Sequence, residues 1–137
     1  MYSKIVESIV KHEGYEPQVY KCTQNFDTIG YGFAIKDLKL SKEVCDLILK
    51  EKIDKILNRL QSNLAYFDHL PDEAKVVLVN MAYQLGVSGL LKFKKTLKAF
   101  EMRMWSDASK EMLDSLWARQ TPDRANELSD IIKNIGL

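Results

Sequence analysis

Apolar residues recur at helical spacing over most of this chain, and one stretch near the N-terminus breaks the rhythm. Ile5, Val6, Ile9 and Val10 form a stripe that predicts a helix over 3–13, with Ser3 as its cap. Gly14 stands where a left-handed residue commonly ends a helix, and Pro17 opposes continuation. The segments QVYKC (18–22) and FDTIGYGF (26–33) carry the β signal. Between them TQN is turn chemistry, with Asn25 suited to a positive φ. Gly30 and Gly32 weaken a regular strand and predict a bend or a close backbone approach.

From Ser41 onward the period is 3.6. Ser41 is an N-cap, Glu43 lies in the first turn, and Val44, Leu47, Ile48, Ile53, Ile56, Leu57 and Leu60 extend a helix to about residue 62. Pro71, Asp72 and Glu73 open another, apolar nearly all round, which is expected to be the buried central helix ending at Gly86. Shorter pieces are expected over 90–103 and 107–119, then a last helix capped by Thr121 with Pro122 at its first position. The expectation is one domain over 1–137: an N-terminal helix (1–13), a β-lobe (14–40), a connecting helix (41–62) and a helical lobe (63–137). Its class is α+β, predominantly α-helical, with a small β-hairpin lobe and a larger helical one.

Composition narrows the partners. The 137 residues suffice for one proper core. Twenty Lys and Arg against 19 Asp and Glu give no electrostatic reason to expect nucleic acid. Charges at Lys4, Glu7, Lys11 and Glu13 interrupt any signal-peptide core, and no apolar run reaches membrane-span length, so stable membrane insertion is not expected. Cys22 and Cys45 do not make a disulfide framework and read as free thiols, although a bridge between them stays open. His12 and His69 are isolated, and no metal or other cofactor is expected.

Candidate chemistry concentrates in HEGYEPQVYKCTQNFDTIGYG (12–32). Glu13 sits at a helix C-terminal end, where unpaired carbonyls disfavour a carboxylate; that is a setting for a general acid. Strand alternation puts Phe26, Thr28 and Gly30 on one face and Asp27 on the other, so Asp27 is a poor replacement carboxylate. Cys22 is a weak general base at an ordinary thiol pKa of about 8.5 but an intrinsically strong nucleophile. Lys21 points to the opposite strand face and is a doubtful activator.

Glu13, Cys22 nine positions on and Thr28 six further resemble the catalytic segment of phage T4-type lysozymes, the endolysins of glycoside hydrolase family 24. NMAYQLGVSGLLKF (80–93) is similar to that family's central-helix signature, and SLWARQTPDRA (115–125) to its C-terminal segment. Cys22 replaces the usual Asp, Phe33 replaces the usual His, and the region between Phe33 and Pro71 is shorter. The resemblance implies a muramidase acting on the β-1,4 bond between N-acetylmuramic acid and N-acetylglucosamine of bacterial peptidoglycan. It makes Glu13 the acid, with Cys22 and Thr28 serving the opposite face by direct attack or by water delivery. It makes Arg124 the partner of Glu13, and Ala34, Tyr83, Gln84, Thr96 and Glu111 substrate contacts. It also implies a monomer held in the host bacterial cytoplasm until a holin-type membrane lesion releases it to the wall.

Other readings of the same residues remain open. Tyr83 is equally a core-edge aromatic, Arg124 a helix-surface charge, and Trp105 and Trp117 read as core. A silent wall-binding module, a lytic transglycosylase using the same Glu13 and a helical interaction protein all fit the pattern. The lysines of KFKKTLK (92–98) read first as a solvated face, and secondarily as a membrane-active or polymer-holding patch.

Overall fold

The computed structural model describes residues 1–137 and divides into two compact units, Met1–Cys45 and Asp46–Leu137. The architecture is α+β and mainly helical with one small antiparallel sheet, as the periodicity predicts.

The first unit opens with α1 (Tyr2–Glu13). Its first backbone bond runs from the Ile5 N–H to the Met1 carbonyl, so Met1 is the cap and Ser3 lies inside the helix. The helix ends at Gly14, whose φ of 69° is the expected sign, though its ψ of 169° is extended rather than left-handed helical. The stripe of Ile5, Val6 and Ile9 is exposed. Three short strands follow: β1 (Glu16–Lys21), β2 (Asp27–Gly30) and β3 (Phe33–Ala34), ordered β1-β2-β3. The stretch 26–33 is therefore two strands. Gly30 and Gly32, at φ 71° and 74°, turn the chain back on itself, and a Cβ on Gly30 would strike the Phe33 ring. The β1–β2 hairpin is closed by Cys22 N–H to the Phe26 carbonyl (3.0 Å) and Asn25 N–H to the Cys22 carbonyl (2.8 Å). Asn25 takes the expected positive φ, 66°.

α2 (Lys42–Asn63) starts where Ser41 Oγ accepts the Val44 N–H at 3.2 Å, the expected cap. The second unit then holds α3 (Asp72–Leu85), α4 (Val87–Leu90), α5 (Lys94–Glu101), α6 (Trp105–Leu113), α7 (Leu116–Gln120) and α8 (Pro122–Lys133). The two expected pieces over 90–103 and 107–119 are thus three helices, α5, α6 and α7, with the single turn of α4 just before them. One break falls at Arg103, whose φ of 55° ends α5. Another falls at Ser115, whose hydroxyl accepts the Ala118 N–H and caps α7. Thr121 precedes Pro122 as expected, but its hydroxyl donates back to the Trp117 carbonyl at 2.8 Å and caps nothing.

The core of this unit gathers Leu60, Phe67, Val77, Leu78, Met81, Leu90, Phe100, Met112 and Ile132, with α8 packed on α3, α6 and α7. α3 buries Ala74, Val77, Leu78, Met81 and Ala82 but leaves Val76 and Tyr83 exposed, so it is not buried all round. Trp117 is core, edge-on to Phe93, and Trp105 meets Phe100 the same way. No helix is long and apolar enough to cross a membrane.

Candidate active site

The first unit carries Glu13, Cys22, Thr28 and Ala34. Glu13 is the last residue of α1, and its carboxylate lies over Gly32; a Cβ built on Gly32 would collide with it. The turn between β2 and β3 thus seats the acid, and only glycine leaves room for it. Sequence reasoning marked Gly32 as a close backbone approach without naming what approaches.

Cys22 stands at the mouth of the β1–β2 hairpin, half-buried and unpaired; Cys45 is also a free thiol. Its pKa lies below the ordinary thiol value. The cause is first the hydrogen bond from the Phe26 backbone, then that from Gln24; burial works against them, and the Thr28 hydroxyl adds a weaker lowering contribution. Lys21 is not among the causes. It pairs with Asp27 at 2.7 Å, both side chains more than half exposed, while Thr28 next to Asp27 is buried, the alternation expected of the strand. Asp27 is therefore no substitute for the missing carboxylate.

Thr28 is 3% exposed and pairs with Tyr20 on one side and Ala34 on the other. Its hydroxyl donates to the Phe26 carbonyl at 2.9 Å. A hydroxyl has one proton, so Thr28 gives it either to that carbonyl or to the sulfur, and a thiolate favours the second.

The second unit carries the other candidates. Tyr83 is half-exposed and lines a groove of about 440 Å³ with Leu49, Ile53, Leu57, Val76 and Arg124. Arg124 donates Nε to Asn80 Oδ1 (2.8 Å) and Nη2 to the Asn80 carbonyl (3.2 Å). No motif in the sequence marks Asn80 as a partner of Arg124. Its one signal is a lone amide inside the apolar run KVVLVNM. Gln84 accepts the Trp117 indole N–H at 2.8 Å, which ties α3 to α7. Thr96 and Glu111 line one pocket of about 570 Å³ with Phe93 and Trp117. Thr96 is only 2% exposed and offers a ligand little area; Glu111 is half-exposed. The lysines of 92–98 do not form one bare basic face. Lys92, Lys94 and Lys95 share that pocket with Glu111 and Asp114, and Lys98 pairs with Glu101 at 3.1 Å. No cluster of His, Cys, Asp or Glu has the arrangement of a metal site.

Comparison with known proteins meets this geometry. A family model described as Phage lysozyme matches residues 10–129, which include every candidate named above. The chain is 29% identical over 163 aligned positions to Probable T4-type lysozyme 1 of Dictyostelium discoideum, covering 97% of this chain and 95% of that protein. It is 25% identical over 162 positions to Probable T4-type lysozyme 2 of the same organism, with the same coverage. It is 30% identical over 156 positions to the Pre-baseplate central spike protein Gp5 of Enterobacteria phage T4, covering 93% of this chain but 27% of that protein. The alignments exceed the 137 residues of this chain, so these relatives carry residues that it lacks. By a family match over most of its length, the chain belongs to the phage lysozyme family.

Proposed function

We propose that this protein is a muramidase that hydrolyses the β-1,4 bond between N-acetylmuramic acid and N-acetylglucosamine in bacterial peptidoglycan. Glu13 is the general acid, and Cys22 with Thr28 activates a water on the other side of the bond. The observation that carries this reading is the layout of the small sheet. Glu13 is seated on the β2–β3 turn, and at the other end of β2 the Thr28 hydroxyl is among the groups that favour the Cys22 thiolate.

We read the second step as water delivery rather than direct attack by sulfur. Glycosidases that invert hold their two catalytic groups roughly 6.5–9.5 Å apart, while those that attack directly hold them at about 5–5.5 Å, so the configuration of the product distinguishes the two. A thiol with a lowered pKa supplies more thiolate near neutral pH, and a thiolate accepts the proton of the attacking water. Glu13 gives its proton to the departing glycosidic oxygen, the C1–O bond breaks, and the water oxygen bonds to C1. Tyr83, Gln84, Thr96 and Glu111 are assigned to sugar contact, Ala34 to the sheet side, and Arg124 to support. Arg124 spends two of its five N–H groups on Asn80, leaving the others for a carboxylate.

The test is wall digestion with product analysis. Glu13→Gln is expected to lose roughly 10²–10⁴-fold in rate with the fold intact. Cys22→Ser is expected to be nearly inactive, because a serine hydroxyl is too weak an acid to act as its own base. New ends should be hydrated and of inverted configuration. A retained anomer or a sugar adduct on Cys22 would replace water delivery by attack from sulfur. Anhydro ends would make the protein a transglycosylase. Full activity of Glu13→Gln would end the assignment.

A further inference from the structure

We infer that a basic groove on the second unit, walled by Lys52, Lys55 and Arg59, binds the carboxylate-bearing stem peptides of the wall polymer. The inference rests on the muramidase reading for its choice of polymer. The groove measures about 470 Å³ and is completed by Ile56, Ala82, Tyr83, Gly86 and Val87. Three cations line it and no acidic side chain does. The lysine-rich run 92–98, the obvious basic feature of the sequence, lacks this property because Glu111 and Asp114 line the same pocket as Lys92, Lys94 and Lys95.

Helix geometry explains the wall. Residues 52, 55, 56 and 59 are spaced i, i+3, i+4, i+7 and share one face of α2. Leu49, Ile53 and Leu57 face the neighbouring apolar groove, and Tyr83 lines both. The guanidinium of Arg59 is anchored, its Nη2 donating to Ser88 Oγ at 3.2 Å. Lys55 meets Glu51 at 3.7 Å with both side chains about three-quarters exposed, a solvated pairing that leaves its charge available. The floor of Ile56, Ala82 and Val87 is apolar.

An anionic ligand for this groove must combine negative groups with small apolar ones. A stem peptide does so, with carboxylates beside alanine methyl groups. A phosphodiester polymer satisfies the cations but leaves the apolar floor unused. The position of Tyr83 adds continuity: a residue assigned to sugar contact also borders the charged groove, so peptide and glycan are engaged side by side.

The experiment measures sedimentation of protein with purified wall sacculi in a Glu13→Gln background, so that binding is read without digestion. Wall hydrolysis by the otherwise unaltered protein is scored separately by reducing ends, and its failure would count against the muramidase reading alone. Lys52→Gln/Lys55→Gln/Arg59→Gln is expected to bind untreated sacculi about tenfold more weakly. Lys52→Gln/Lys55→Gln, which keeps the Arg59–Ser88 contact, should show part of that loss. Amidating the wall carboxylates should weaken the parent to the level of the triple variant and leave the triple variant unmoved. Equal binding by parent and triple variant overturns the proposal. So does an undiminished difference between them on amidated sacculi. A difference that disappears when phosphodiester polymers are stripped from the wall, and not when carboxylates are amidated, also overturns it.

Discussion

Two residues in the first unit do unusual work for their type. Gly32 combines a φ of 74° with a position directly beneath the Glu13 carboxylate. Gly32→Ala should cost at least about 1 kcal/mol through the backbone alone, and it should also displace the acid. The expected outcome is a folded protein with a modestly lower melting temperature and a loss of wall-clearing activity far larger than the stability change explains. Thermal melts beside a turbidity assay check this; full activity in the variant would show that Glu13 does not need its seat. Cys22 is the second. Hydrogen bonds from Phe26, Gln24 and Thr28 favour its thiolate, so its pKa falls below the ordinary thiol value. A lowered pKa keeps the thiolate populated to lower pH. The alkylation rate of Cys22 should therefore reach half its plateau at a lower pH than that of a free cysteine peptide. Thr28→Val should move that midpoint upward, since it removes one of the stabilising donors. Iodoacetamide kinetics on the Cys45→Ala protein read this directly, and a midpoint at or above the peptide value would contradict the hairpin's role.

At the scale of elements, local signals succeeded where a side chain and its backbone partner are close in sequence. Ser41 caps α2 as its spacing predicts, and Ser41→Ala should cost about 1 kcal/mol in chemical denaturation. No loss beyond a few tenths would show the cap to be replaced by solvent. Ser3 and Thr121 have the same chemistry and do not cap: Met1 already takes the first bond of α1, which leaves Ser3 inside the helix, and the Thr121 side chain turns back to donate to the Trp117 carbonyl. The division of 87–120 into four short helices escapes the periodicity for a related reason. A single turn held by an i+3 bond, such as Phe93 N–H to the Leu90 carbonyl, leaves the apolar spacing nearly unchanged.

At the scale of the whole molecule, the two units differ in how much they bury. Between residues 1 and 45 only Thr28 is buried, whereas the second unit has a continuous core of aliphatic and aromatic side chains. Local opening free energy follows such burial. Hydrogen exchange is expected to show weak protection in β1–β3 and strong protection in α3, α6 and α8. Leu78→Ala, at a fully buried site, should cost about 2–5 kcal/mol and lower protection across those helices together. Equal protection in both units would contradict this picture. The catalytic candidates of the first unit thus rest on hydrogen bonds and turn geometry, and the sugar-contact candidates on a packed helical scaffold.

The sequence by itself determined the longer elements and the resemblance to the family. Periods of 3.6 and 2 are local properties of the chain. The ordered set Glu13, Cys22 and Thr28 with its two later segments needs no coordinates, and even the outward direction of Asp27 follows from strand alternation. Tertiary structure decided what depends on neighbours distant in sequence. It put Gly32 under Glu13 and Asn80 against Arg124. It put Lys92, Lys94 and Lys95 in a pocket that acids also line, and Lys52, Lys55 and Arg59 in a groove that no acid lines. Charge and thiol chemistry depend on which groups stand within a few ångströms of one another, and linear spacing reports that only along one helix or one hairpin.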